Sequence, residues 1–215
     1  MRVVRIEPIP RRPGHVRVHV GDRQTLDLPQ VVAEDAGLRA GDVVDDSLLE
    51  HLQRRALEND ALERALRFLE ARPRSEHEVR DRLARKDIPP AIIDAVIDRL
   101  RELALVDDVA FAEFWIENRA RFNPRGARAL KLELRQKGLN ADRISIDVAA
   151  MVDEAEAAKD IARRNATRLT HLDYPTFRQK MWAFLARRGF DYDVMSSAIA
   201  EAWRSIHEED ANVDP

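Results

Sequence analysis

The chain has 215 residues, of which 36 are Lys or Arg and 39 are Asp or Glu, for a formal net charge of −3 at pH 7. It has no cysteine, which excludes disulfides, thiolate metal centres and thiol nucleophiles. Its apolar runs are short and broken by charge, so none makes a membrane-spanning helix, and Met1-Arg2-Val3-Val4-Arg5 lacks the apolar core of a secretion signal. The expectation is a cytoplasmic protein with no membrane partner. With only seven glycines and many Ala, Leu, Arg and Glu residues, it should be mainly helical.

The first stretch is the exception. Val3-Val4-Arg5-Ile6 is strand-forming, and Pro8, Pro10, Pro13 and Gly14 then interrupt regular structure. His15 to Val20 alternates, with valines on one face and His15, Arg17 and His19 on the other. Gly21-Asp22 turns the chain into Gln24 to Leu28, which alternates again, so a hairpin is expected. Pro29 suits a helix first turn and Gly37 the residue after its end, predicting a short helix over Gln30–Ala36. Gly41 to Val44 reads as one more short strand. His15 and His19 share a strand face, but no Asp, Glu or third His is spaced to complete a metal shell, so a solvated hairpin face is expected. A helical pattern then starts at Asp46, with Ser47 and Glu50 in capping-box spacing, and runs towards Ala71 with a break near Asn59-Asp60.

From there the chain repeats. Pro73, Pro124 and Pro175 are each 51 residues apart. The same step links Val79, Leu130 and Met181; Leu83, Leu134 and Leu185; Lys86, Lys137 and Arg188; Ile88, Leu139 and Phe190; and Ile97, Val148 and Ile199. A fixed period of this size marks a repeat architecture. In the first copy Leu62, Ala65, Leu66 and Leu69 form a helical stripe ended by Arg72-Pro73-Arg74. Ser75 caps the next helix with Glu78 in the box position, and Pro89-Pro90 opens a third carrying Ile93, Val96, Ile97 and Leu100.

In the second copy, Asp107-Asp108 reads as an N-cap with favourable charge rather than a metal or catalytic pair. Phe111, Trp115 and Ile116 follow as a buried face. Ala127–Lys137 forms a helix closed by Gly138, and Ile144, Val148 and Met151 carry a third helix. The third copy has a first helix near Asp153–Leu169, a restart at Pro175, and a last helix capped by Asp191 and ending near Ser205. The expected organisation is a β-rich module with a linker helix over 1–58, three-helix repeats over 59–106, 107–152 and 153–206, and a disordered acidic tail over 207–215. Stacked repeats of this kind make an elongated array.

These motifs resemble a known family. Arg72-Pro73-Arg74-Ser75-Glu76-His77-Glu78-Val79-Arg80 with Leu83 and Lys86 is similar to the opening signature of the RecX recombination regulators. Leu103 to Ala112 with Trp115 and Arg119 resembles the junction between their first two repeats. Pro124 to Leu130 with Glu133 to Gly138 resembles their most basic helix, and Arg187-Arg188-Gly189-Phe190-Asp191-Tyr192-Asp193 their third-repeat ending. The resemblance covers about residues 60–205. It implies a modulator of the RecA recombinase that lies in the groove of the RecA–DNA filament, inhibits ATP hydrolysis and strand exchange, and can bind single- or double-stranded DNA, weakly by itself. It implies no catalysis and no cofactor. Residues 1–58 exceed the family minimum, so their role is open.

Arg119 to Lys137 holds seven basic residues against one acid, Glu133, the sharpest charge asymmetry in the chain. Arg125, Arg128, Lys131 and Arg135 fall in one stripe beside the core face of their helix, and with Arg119, Arg121 and Lys137 form the candidate contact for filament or DNA phosphates. Arg72, Arg74, Arg80, Arg82 and Arg85 form a second set, interrupted by Glu76, Glu78 and Asp81, for which a solvated face is the plainer expectation. The alternative is a stand-alone helix-turn-helix DNA binder. It needs base-reading Asn or Gln, which are nearly absent from the candidate helices, Gln136 being the exception. No phosphate-binding glycine loop, nucleophile elbow or metal-spaced His cluster supports an enzyme, and the chain is expected to act as a monomer.

Overall fold

The computed structural model describes residues 1–139 and 146–211, the last four of these by backbone alone. It divides into two compact units, Met1–Val106 and one beginning at Asp107. The fold is mainly helical, with a small antiparallel sheet at its start.

In the first unit, β1 (Val3–Pro8), β2 (His15–Val20) and β3 (Gln24–Pro29) form a sheet in the order β1-β2-β3. Residue period two puts Val16, Val18 and Val20 on one face, where they pack with Val3, Leu28, Val32 and Leu52 in one core. Strand β1 extends through Pro8, further than the prolines predict. It is an edge strand, where a missing N–H costs nothing in the ladder. The expected strand near Val44 is a single bridge, Arg2 to Val43. Helix α1 (Gln30–Asp35) follows as expected.

Helix α2 (Asp46–Leu69) is continuous, without the expected break, and its N-cap is Asp45, whose carboxylate accepts from the Leu48 N–H, rather than Ser47. Asp60 is the reason the helix persists through a poor helix former. Its carboxylate accepts from Arg12 at 2.6 Å and meets His15 Nε2 at 3.1 Å. His15 is 8 % exposed, so the expected solvated face is corrected: this histidine is buried and bound to α2. His19 is half-buried beside Glu7, 2.9 Å away.

Helices α3 (Glu76–Ala84) and α4 (Pro90–Glu102) complete the first three-helix unit with α2. The capping box is present as predicted: Ser75 Oγ accepts from the Glu78 N–H, and Glu78 accepts from the Ser75 N–H. Asp87 takes a left-handed φ of 56°, at the register position where the later copies have Gly138 (81°) and Gly189 (78°). Asp tolerates this region better than most side chains, which explains how the helix end survives without glycine.

Burial opposes ionisation of Glu76, but hydrogen bonds from Arg80 and Arg101 outweigh it and hold the carboxyl below its ordinary 4.5. A depressed folded pKa stabilises above 4.5, and that contribution fades as pH falls through the folded value. Glu76→Gln should therefore lower stability at pH 7 by about 2 kcal/mol. The gap to the parent should close below pH 4.5, read from denaturant unfolding at a series of pH values. An equal gap at all pH values would show that packing, not charge, is lost.

The second unit holds α5 (Asp108–Phe122), α6 (Ala127–Gln136), α7 (Glu154–Ala166), α8 (Tyr174–Ala186) and α9 (Tyr192–Ala211). Asp107 caps α5 as predicted, accepting from the Val109 and Ala110 N–H groups. The expected third helix of the second copy is not seen in its described part: Val148 to Met151 is a turn, and Ile144 lies outside the described residues. Helix α9 runs past the expected end at Ser205 into the segment expected to be disordered, of which residues 212–215 lie outside the described residues. The register reads directly as burial. Leu83, Leu134 and Leu185 are fully enclosed, as are Ile97, Val148 and Ile199, each set supplying three separate cores.

Gly126 and Gly189 fix how the second and third copies meet. The Gly126 N–H donates to Arg188 O at 3.0 Å. A Cβ on Gly126 would lie 2.2 Å from Gly189 O, and one on Gly189 would lie 2.5 Å from Ala129 Cβ. Gly126 offers no side-chain cap to α6, so Glu154 supplies it, accepting from the Ala127 N–H.

Candidate functional site

The predicted basic stripe divides into two parts. Arg128, Lys131 and Arg135 stand along α6 at helical spacing, with Arg128 and Arg135 exposed and Lys131 half-buried. Among the described residues none of the three has an ion-pair partner. Leu130 and Leu134 anchor the opposite face in the core, so these cations point away from it.

Arg125 and Arg119 turn inward instead, to Glu133. That carboxylate accepts from Arg119 Nε at 2.6 Å and from Trp115 Nε1 at 2.9 Å, and lies 3.7 Å from Arg125 Nε. Arg119 stacks 4.4 Å from the Trp115 ring centroid, and Lys137 sits 4.9 Å from it. The single acid in the basic run thus ties up one side of it. Arg121 lies 5.1 Å from the ring of Phe122, which at 69 % exposure is the most exposed of the large apolar side chains among the described residues. Sequence reasoning passed over Phe122, whose signal was an aromatic between a helix end and Asn123-Pro124.

A further cation stands close by. Arg188 packs 3.8 Å from the Phe184 ring. Burial first, then Arg125 and Arg187, push its pKa down. Guanidinium stays protonated through such a shift, so Arg188 adds a further positive charge beside Arg125.

The second predicted set also divides. Arg72 makes a two-pronged pair with Glu78, Arg80 bridges Glu76 and Asp94, and Arg85 meets Asp81 at 3.7 Å. All three are paired with acids, and Arg72 and Arg80 are half-buried while Arg85 is exposed. Arg74 and Arg82 are different. They lie 3.9 and 5.6 Å from the Phe68 ring centroid and have no carboxylate partner among the described residues.

Among the described residues, no group of three or more His, Asp or Glu is placed to hold a metal ion, and no helix is long and apolar enough to cross a membrane. What these three-helix units offer is charge, presented on short helices fixed by small cores. That defines a helical-repeat protein. The family model of the RecX first three-helix domain matches residues 61–100, that of the second 107–145, and that of the third 153–199. Regulatory protein RecX of Thermobifida fusca is 33% identical over 146 residues, 67% of this chain and 75% of that one. Its counterpart in Levilactobacillus brevis is 30% identical over 202 residues, 93% and 76% of the two chains. A crystal structure of RecX from Lactobacillus salivarius matches with TM-score 0.61 and 28% identity over 68% of this chain and 96% of that one. The chain belongs to the RecX family of regulatory proteins. A second crystal structure, of regulatory protein RecX, shares the fold at TM-score 0.73 and 22% identity, over 91% and 97% of the chains.

Proposed function

We propose that this chain binds the RecA–DNA filament and inhibits the recombinase's ATP hydrolysis and strand exchange. The observation that carries this is the row Arg128, Lys131, Arg135 on α6, exposed or half-exposed and without acid partners among the described residues. Membership of the RecX family of regulatory proteins supports the recombinase as the partner. Three cations on one rigid helix suit a surface of regularly placed phosphates or carboxylates, and such contacts carry no sequence information. Arg119, Arg125 and Lys137 act one step back, holding α5 and α6 together through Glu133 and Trp115.

The test is RecA ATP hydrolysis on single-stranded DNA, titrated with this protein at two salt concentrations. Inhibition is expected, with the half-inhibiting concentration rising steeply with salt. No change in hydrolysis at any concentration would exclude this reading. Tight duplex binding with no recombinase present would favour a stand-alone DNA-binding protein.

A further inference from the structure

The junction between the first and second helices of a three-helix unit occurs three times in this chain, and its charge differs from copy to copy. In the first copy it opens as a cavity of about 340 Å³ around Phe68, lined by Arg64, Arg67, Arg74, Arg82 and Lys86. No carboxylate lines it. Only Arg67 has an acid partner, Glu63 at 3.5 Å. Arg64, Arg74, Arg82 and Lys86 have none among the described residues. Around the same three helices Arg72, Arg80, Arg85, Arg99 and Arg101 all have one. Unpaired cations in this copy therefore collect in one place.

The second copy shows the junction with an acid built into it. Glu133 takes the register position of Arg82, 51 residues on, and closes the cluster of Trp115, Arg119 and Arg125. The third copy reverts to the open form. A cavity of about 340 Å³ beside Phe184 is lined by Arg168, Lys180 and Arg187, again with no carboxylate. At that register position the first copy has Arg82 and the third Phe184, so in neither does a carboxylate enter the junction.

We infer that the Phe68 cavity, and its Phe184 counterpart, are binding sites for the phosphodiester backbone of a nucleic acid strand, separate from the α6 row. The stoichiometry of charge points to a polyanion. In this first unit a carboxylate is satisfied by one or two arginines, as Glu78 is by Arg72. Four unpaired cations around one cavity instead match a run of adjacent phosphates, which arginine forks grip two oxygens at a time. The Phe68 ring adds an apolar wall for the sugar or base beside them. The inference does not rest on recombinase regulation, and its test contains no recombinase, so either reading can fail without the other.

The test is fluorescence anisotropy of the 215-residue chain with a labelled single-stranded oligodeoxythymidylate across a salt series. Arg64 and Lys86 are exposed rim residues, so the double variant Arg64→Glu, Lys86→Glu should fold normally. It should weaken binding about tenfold or more, and flatten the dependence of log affinity on log salt by roughly one to two units, near 0.7 for each single-strand phosphate contact. Arg168→Glu with Lys180→Glu should act likewise at the third-copy cavity. The charge-matched control is Arg54→Glu with Arg85→Glu, two exposed residues paired to Glu58 and Asp81. It should keep most of the affinity. Inorganic tripolyphosphate should compete, and poly-glutamate of equal charge should compete poorly. Equal losses in the control pair, no loss in the cavity pair, or stronger competition by poly-glutamate would each overturn the assignment, the last in favour of an acidic protein segment.

Discussion

Gly126→Ala should destabilise the protein by about 3 kcal/mol or more, a loss at the upper end for overpacking. Backbone preference alone predicts the opposite. Gly126 has φ −70° and ψ 157°, a conformation alanine adopts readily, so the exchange should stiffen the unfolded chain and help. Space decides against it. The new Cβ would meet Gly189 O at 2.2 Å, Gly189 C at 2.5 Å and Phe190 N at 2.6 Å, all main-chain atoms that no rotamer change can move. Relief requires prising the start of α6 from the α8–α9 turn. That breaks the Gly126 N–H bond to Arg188 O and unseats Phe190, which is 1 % exposed in the third core. The control is Gly37→Ala, where φ is +63° but nothing lies within 4 Å. It should cost only the left-handed penalty of about 1 kcal/mol. Thermal unfolding of the two variants ranks them. If Gly126→Ala melts at or above Gly37→Ala, the close approach of the two glycines is wrong.

Reversing charge at Arg128, Lys131 and Arg135 together should raise the concentration needed for half-inhibition of RecA ATP hydrolysis by about a hundredfold. The estimate takes roughly 1 kcal/mol for each exposed charge contact, and about 3 kcal/mol for three. The folded state should barely notice. None of the three has an acid partner among the described residues, and an acid near the end of α6 costs only a few tenths of a kcal/mol. Arg125 is left unchanged because its loss would free Glu133 and confuse interface with fold. Helical content by circular dichroism checks integrity, and the ATPase titration reads the effect. An unchanged half-inhibiting concentration would mean that α6 is not the contact.

Much of the fold was legible because its signals are local. The capping box needs only Ser75 and Glu78, three residues apart, and the core only a register whose members all turn out buried. What escaped was tertiary. Asn59-Asp60 reads as a break because both are poor helix formers, yet Asp60 is held by Arg12 and His15 from 48 and 45 residues away. The same pairing turned a histidine that alternates like a surface residue into a buried one. At the candidate site, helical geometry put Arg125 in line with Arg128, but it precedes the first turn of α6 and is drawn to Glu133 instead. Gly126 was readable as a turn former. Its spatial partner, 63 residues on, was not, since nothing local distinguishes a glycine that bends the chain from one that lets two distant segments touch.

One further consequence lies in α2. Leu49 and Leu52 near its start belong to the sheet's core, while Ala61 and Ala65 near its end belong to the core of the first three-helix unit. The helix has no interruption between them. Breaking it in the middle would forfeit successive backbone bonds and strand half a helix on each side, so the two cores should open as one event. Amide protons along α2 should exchange at a common slow rate, whichever core they face. A partner that grips the small sheet would then tighten the first three-helix unit as well, by suppressing their shared opening rather than by moving any atom of it.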